Sequence, residues 1–299
     1  CHGYKGFKDW GAWNLMAEAF AKAGFFFIKF NFSHNGGTIE QPIDFPDLEA
    51  FGNNNYSKEL DDLESVIDWI FNTEEYKNKV DLHQISLIGH SRAGGIVLLK
   101  SNEDSRIKKV ITLASVCDFG KRTATIGDLD EWKKEGVKYV VNGRTKQNMP
   151  HFYQFYEDFK QNEERLNIQK ATESLKFPQL IIHGNNDTSV FINEAESLQK
   201  WNPKAIYKII ENANHVFNIA HPWKENFLSK ELKEKQTEQL DELKTRQSKL
   251  QQIAQHYGLN LDKPNETKAT VGKEMTRSQK TPSRNVCPNP MSQFAVLYP

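Results

Sequence analysis

Short apolar runs punctuate the chain, set apart by polar segments long enough to hold helices. Phe25 to Asn31, Ile85 to Ile88, Val110 to Cys117, Phe177 to Gly184 and Ala205 to Ile210 are β-prone runs bounded by glycine, proline or polar residues. Runs of this length and composition predict buried strands. Trp10 to Lys22 and Lys58 to Phe71 read as helices, the second entered through Asn54-Asn55-Tyr56-Ser57 as loop and N-cap. Ile96-Val97-Leu98-Leu99-Lys100 continues a third helix. Strands alternating with helices predict an α/β fold, a mostly parallel sheet flanked by helices.

Phe119 to Lys176 is too long for a simple connection between strands and predicts a helical cap insertion. Within it, His151 to Phe159 places apolar residues at 152, 155, 156 and 159, one face of an amphipathic helix. Two readings stay open there. Phe155 and Tyr156 wall a pocket, or the stripe packs on the body as most such stripes do. The expected organisation is a body of 1–118 and 177–224, the insertion 119–176, a helical extension 225–260 and a tail 261–299. Glu225 to Tyr257 is rich in Lys, Glu, Gln and Leu, with any coiled-coil seam interrupted at Gln236 and Gln247. The tail is polar and carries Pro264, Pro282, Pro288 and Pro290, so disorder is expected.

Candidate chemistry enters at Ile85-Ser86-Leu87-Ile88-Gly89-His90-Ser91-Arg92-Ala93-Gly94-Gly95. An apolar strand runs into small residues, presents one serine and passes into a helix, which is the layout of a nucleophile elbow. Side chains two before and two after the serine would crowd that turn, and Gly89 and Ala93 clear it. Glycine is usual at the second place, so Ala93 departs mildly from the pattern. Asp187 follows the strand that ends at Gly184, and His215 follows the strand that ends at Ile210. Catalytic groups of open α/β sheets lie just past such strand ends. The order serine, acid, histidine is that of α/β-hydrolases and not of chymotrypsin-like or subtilisin-like enzymes. Asp118, which closes the Val110 to Cys117 run, is a rival for the acid.

Over roughly Cys1 to Trp223 the chain resembles the α/β-hydrolases, nearest the dienelactone-hydrolase-like and prolyl-oligopeptidase-like branches. The residues that carry the resemblance are Cys1-His2-Gly3-Tyr4-Lys5-Gly6, the elbow, Gly184-Asn185-Asn186-Asp187-Thr188-Ser189-Val190 and Asn214-His215. Dienelactone hydrolases use a cysteine nucleophile, so lactone opening does not carry over to Ser91. The resemblance implies an acyl-transfer site in which His215 takes the Ser91 proton and Asp187 orients the imidazole. The backbone N–H groups of Arg92 and Tyr4 would bind the oxyanion. It also implies earlier strands that the chain lacks, so a fragment is expected, and secretion cannot be judged without the amino end. The expected activity is that of a serine esterase. A prolyl-oligopeptidase-like peptidase and a non-catalytic binding protein of the same fold are the alternatives.

Other residues change this picture little. His34 leaves a strand toward the same edge and is a candidate for the pocket lining. His90 and His183 read as strand-end packing residues, and His151 and His221 lack metal-ligand spacing, so no zinc site is expected. No dinucleotide or P-loop fingerprint occurs, and acyl transfer of this kind needs no cofactor. The 39 basic and 39 acidic residues balance, which gives no electrostatic ground for nucleic-acid or anionic-membrane binding. No apolar run reaches the roughly 20 residues of a membrane span. Cys1, Cys117 and Cys287 are too dispersed to predict a disulfide framework, mildly favouring a reducing, cytoplasmic setting. The expected partner is a small ester, and oligomeric state is not legible.

Overall fold

Each apolar run of the first 210 residues becomes a strand, most of them shorter than the run itself. The computed structural model describes residues 1–77, 79–124, 127–225 and 294–297, all within one unit of the chain. α1 (Trp13–Lys22) leads to β1 (Phe27–Phe30), and the short α2 (Leu48–Gly52) precedes α3 (Tyr56–Asn72). The Asn55 side chain caps α3 by accepting the Lys58 N–H at 2.9 Å. α4 (Glu74–Lys77), β2 (Ile85–His90), α5 (Arg92–Glu103) and β3 (Ile107–Leu113) follow. The insertion holds α6 (Phe119–Ala124), α7 (Leu129–Glu135), β4 (Val137–Val141), β5 (Asn148–Phe152), α8 (Gln154–Gln161) and α9 (Ile168–Ser174). β6 (Gln179–Gly184), α10 (Ile192–Trp201) and β7 (Ile206–Ile210) complete the body, and β8 (Phe294–Leu297) lies far along the chain.

β2, β3, β6 and β7 pair side by side in that order, all parallel. Parallel neighbours need crossovers, and helices supply them: α5 joins β2 to β3, and α10 joins β6 to β7. Their carboxyl ends therefore lie along one edge, and the loops after β2, β6 and β7 meet there. α5 is covered on every side, packed on β2 and β3 and against α3 and α9. This explains why Ile96, Val97 and Leu98 are all fully buried although they do not share one helical face. Burying each such side chain contributes about 1.5–3 kcal/mol. Lys100 is buried on the same helix with its ammonium 3.1 Å from Glu64 Oε2 and 3.4 Å from Glu103 Oε2, so its charge enters with partners.

β1 and β8 form a separate antiparallel pair, with Phe27 opposite Leu297 and Phe30 opposite Phe294. Within the tail expected to be disordered, residues 294–297 pair with β1. The helical extension falls outside the described residues beyond Glu225, as does the rest of the tail.

The insertion is helical as expected over α6 to α9 but also holds a strand pair. β4 and β5 make an antiparallel hairpin, in register from Val137 opposite Phe152 to Val141 opposite Asn148. Alternation of Val137, Tyr139 and Val141 through β4 favours a strand over the helix suggested by the spacing that follows. The apolar stripe divides between two elements, since Phe152 belongs to β5 while 155, 156 and 159 lie on α8. Phe155 and Phe159 sit in the main core with Tyr56, Phe119 and Trp132. The Phe155 and Tyr56 ring centroids are 4.8 Å apart. Phe155 is therefore a packing residue and not a free pocket wall, because α8 closes directly over α3. Tyr156 is half-buried and rests beside Tyr153 at 5.6 Å.

Phe155→Ala is expected to lower the unfolding free energy by about 3–5 kcal/mol, the usual loss for a buried phenylalanine. Denaturant titration measures it. Unchanged stability with a raised KM would return Phe155 to the pocket.

Candidate active site

Backbone geometry around Ser91 sets the site. Ser91 sits between β2 and α5 at φ 57° and ψ −119°, a conformation L residues adopt only when their surroundings enforce it. Its N–H donates to the Leu113 carbonyl at 2.9 Å, and its own carbonyl accepts from the Val116 N–H at 3.3 Å. The end of β3 and the segment just after it thus hold the serine backbone at both peptide groups. Closeness of the turn explains Gly89, since a Cβ there would lie 2.2 Å from the Ala93 carbonyl oxygen.

The acid and histidine loops are joined to each other before either reaches the serine. A Cβ at Gly184 would stand 2.2 Å from the Ala213 carbonyl oxygen, so glycine lets the loops touch. Asn186 N–H donates to that carbonyl at 3.0 Å, and Asn212 N–H donates to Asn185 Oδ1 at 2.7 Å. Asn214 Oδ1 accepts from the N–H groups of Val216 at 3.1 Å and Asn218 at 2.9 Å, which curls the loop around His215.

Ser91 Oγ is 2.9 Å from His215 Nε2, and His215 Nδ1 is 2.8 Å from Asp187 Oδ2. A carboxylate accepts, so Nδ1 carries the ring proton and Nε2 is left to accept from the serine hydroxyl. Asp187 Oδ1 accepts from the N–H groups of Ser189 at 2.8 Å and Val190 at 2.9 Å. Burial opposes the charge on Asp187, but bonds from His183, His215 and Val190 outweigh it and hold the carboxyl well below its ordinary value. His183 is itself fully buried and donates through Nε2 to the Val190 carbonyl at 2.8 Å. Asp118 instead pairs with Lys121 and caps the start of α6.

Cys1 to Gly6 crosses the serine. The Cys1 backbone pairs with β2, donating to Ile88 O at 2.7 Å and accepting from His90 N–H at 3.1 Å. A Cβ on Gly3 would fall 2.9 Å from Ser91 Cβ, which places Tyr4 one residue beyond the closest approach. Arg92 opens α5, so its N–H has no carbonyl one turn earlier to pair with. His2 braces the loop, with Nε2 accepting the Phe32 N–H at 3.2 Å and Nδ1 donating to the Gly3 carbonyl at 3.0 Å. Burial holds His2 at about 4, below the ordinary 6.5, so it stays neutral. His34 hydrogen-bonds Ser33 Oγ at 2.7 Å and makes no described contact with Ser91 or His215. Among the described residues, no three His, Cys, Asp or Glu side chains gather to hold a metal ion.

Three further contributors are not those expected: His90 reads in sequence as strand-end packing, and nothing there marks Glu59 or His151 for the site. His90 donates through Nε2 to the His215 carbonyl at 2.9 Å, and its ring lies 4.9 Å from that of His215. Glu59 and His151 enter through the Arg92 and Tyr4 side chains. Their separation along the chain left no spacing rule to find them.

No family model and no curated protein matches the chain. Solved structures do. Est1E from Butyrivibrio proteoclasticus, with ferulic acid bound, superposes with a TM-score of 0.51 at 16% identity over 83% of this chain and 87% of that one. The alpha/beta hydrolase GrgF from Penicillium sp. sh18 gives 0.54 at 16% identity over 82% and 87%. The esterase domain of a Rhodothermus marinus protein gives 0.37 at 21% identity over 59% of this chain. The chain spans 65% of that domain's length, and 64% of a second Est1E structure. The fold is therefore that of the α/β-hydrolases.

His90 generates a pH prediction. Burial first, and the nearby His215 second, hold it at about 3 against 6.5. Between those values the unfolded chain binds a proton that the folded chain refuses, so this group removes stability as pH falls. His90→Gln eliminates that titration. The Tm difference between wild type and variant should therefore shift in the variant's favour from pH 7 to pH 4. Parallel Tm curves would contradict it.

Proposed function

We propose that the protein is a serine hydrolase that cleaves carboxylic esters through an acyl-enzyme on Ser91. The observation that carries this reading is the continuous hydrogen-bond chain from Ser91 Oγ through His215 to Asp187, at 2.9 and 2.8 Å. A serine hydroxyl attacks a carbonyl only when a base removes its proton, and His215 Nε2 lies within reach to do so.

In the first half-reaction Oγ adds to the ester carbonyl as its proton passes to His215 Nε2. The imidazolium that forms is stabilised by the Asp187 carboxylate, whose remaining oxygen is already held by backbone donors. Negative charge on the former carbonyl oxygen is bound by the Tyr4 and Arg92 N–H groups. Collapse of the tetrahedral species breaks the ester C–O bond, and His215 returns the proton to the departing alkoxide. Water then repeats the sequence, adding to the acyl carbon with His215 as base and releasing the acid and free Ser91. No step requires a cofactor.

Turnover of a short-chain p-nitrophenyl ester tests the assignment. Ser91→Ala and His215→Ala should each reduce kcat by about 10⁴-fold or more, and Asp187→Asn by about 10⁴-fold through the wrong tautomer. Asp118→Asn should leave the rate unchanged. Full activity in Asp187→Asn with loss in Asp118→Asn would transfer the acid role to Asp118.

A further inference from the structure

The two residues assigned to the oxyanion through their backbones also meet through their side chains. The Arg92 guanidinium carbon stands 4.3 Å from the centroid of the Tyr4 ring. It is also 5.3 Å from the Phe155 ring and 5.5 Å from the Tyr56 ring, an aromatic enclosure drawn from α8 and α3. Arg92 Nη1 pairs with Glu59 Oε1 at 3.3 Å, and the same oxygen accepts from Asn54 Nδ2 at 2.8 Å. Tyr4 is tied on its far side, with its Oη 2.8 Å from His151 Nε2 on β5.

An ion pair in this position is a poor source of stability. The Arg92 side chain is 13% exposed and Glu59 5%, and removing both charges from water costs about as much as their attraction returns. A backbone N–H could be supplied by any residue at position 92 other than proline. What arginine adds is a flat, charged face that can stack on a ring and hold it in one place. The donors of an oxyanion site must lie about 2.7–3.1 Å from the developing charge. Tyr4 belongs to a loop, whereas Arg92 is fixed at the start of α5, so the gap between their N–H groups depends on what holds that loop.

We propose that the Tyr4–Arg92 stack, braced by Glu59 behind the guanidinium and by His151 behind the phenol, sets the spacing of the two oxyanion donors. The proposal rests on the ester-hydrolase reading. Arg92 and His151 act here as positioning residues, through Tyr4 and its loop. It also gives the β4–β5 hairpin a role in catalysis, since β5 supplies His151. A positioning role affects the transition state more than the bound ester, so it separates kcat from KM.

The test uses the full chain, a soluble p-nitrophenyl ester and an aryl trifluoromethyl ketone, which forms a tetrahedral adduct with an activated serine. Arg92→Met should lower kcat by about 10–100-fold with KM changed by less than about threefold, and weaken the ketone by the same factor as kcat. His151→Leu should show the same pattern more weakly, and His151→Gln, which keeps a polar group near Tyr4 Oη, should recover most of the loss. The double variant Arg92→Met/His151→Leu should lose less than the product of the single losses. Should Arg92→Met fail to fold because Glu59 is left unpaired, Arg92→Met/Glu59→Gln removes both charges and carries the same expectation. Unchanged kcat in these folded variants, KM rising in step with ketone Ki, or losses that simply multiply would overturn the positioning role. A wild type that neither turns over ester nor binds the ketone overturns the hydrolase reading together with it. A wild type that does both while the variants match it overturns the positioning role alone.

Discussion

Ser91 occupies a backbone conformation that costs on the order of 1–3 kcal/mol for a residue with a side chain, and the arrangement around it exists to hold it there. The Leu113 carbonyl at the end of β3 and the Val116 N–H just beyond it clamp its peptide groups. Gly89 lets the chain turn against Ala93, and the buried α5 fixes the direction in which the chain leaves. Release of this turn would displace Oγ from His215 and move the Arg92 N–H with it. The parallel sheet serves the same end by bringing three loops to one edge, where Asn185, Asn186 and Asn212 to Ala213 join two of them before His215 reaches the serine.

Buried polar groups around the site are neutral or paired. His90 and His2 are kept uncharged by burial, with His90 Nε2 and both ring nitrogens of His2 engaged by backbone groups. Asp187 keeps its charge because two backbone N–H groups and two histidines face it. Arg92 keeps its charge against Glu59, whose own carboxyl is raised by burial and countered by that arginine. The field at Ser91 is thereby fixed in advance, which is the condition under which hydrogen-bond donors act strongly on developing charge.

Much of this was legible in the sequence where local rules apply. Gly89 and Ala93 announce the elbow by size, and Asp187 and His215 announce themselves by following apolar runs, so with the Val110 to Cys117 run the four parallel strands and the helix between the first two could be placed. Legibility failed where long-range packing decides. The β4–β5 hairpin is a strand pair beside residues with helical spacing, and Phe155 looks the same in sequence whether it faces a ligand or Tyr56. Nothing local marks Glu59 or His151, since their significance comes from contacts 33 residues away at Arg92 and 147 residues away at Tyr4. The pairing of β8 with β1 likewise joins segments that no window of sequence contains.

The central claim is that the Ser91 hydroxyl is activated by His215, and a fluorophosphonate reports that activation without any assumption about substrate. Treated with excess reagent, the folded full-length chain should gain the mass of one adduct, located on the peptide that contains Ser91. The adduct should be absent in Ser91→Ala and strongly slowed in His215→Ala. A folded wild type that takes no label, or takes it at another residue, would contradict the account.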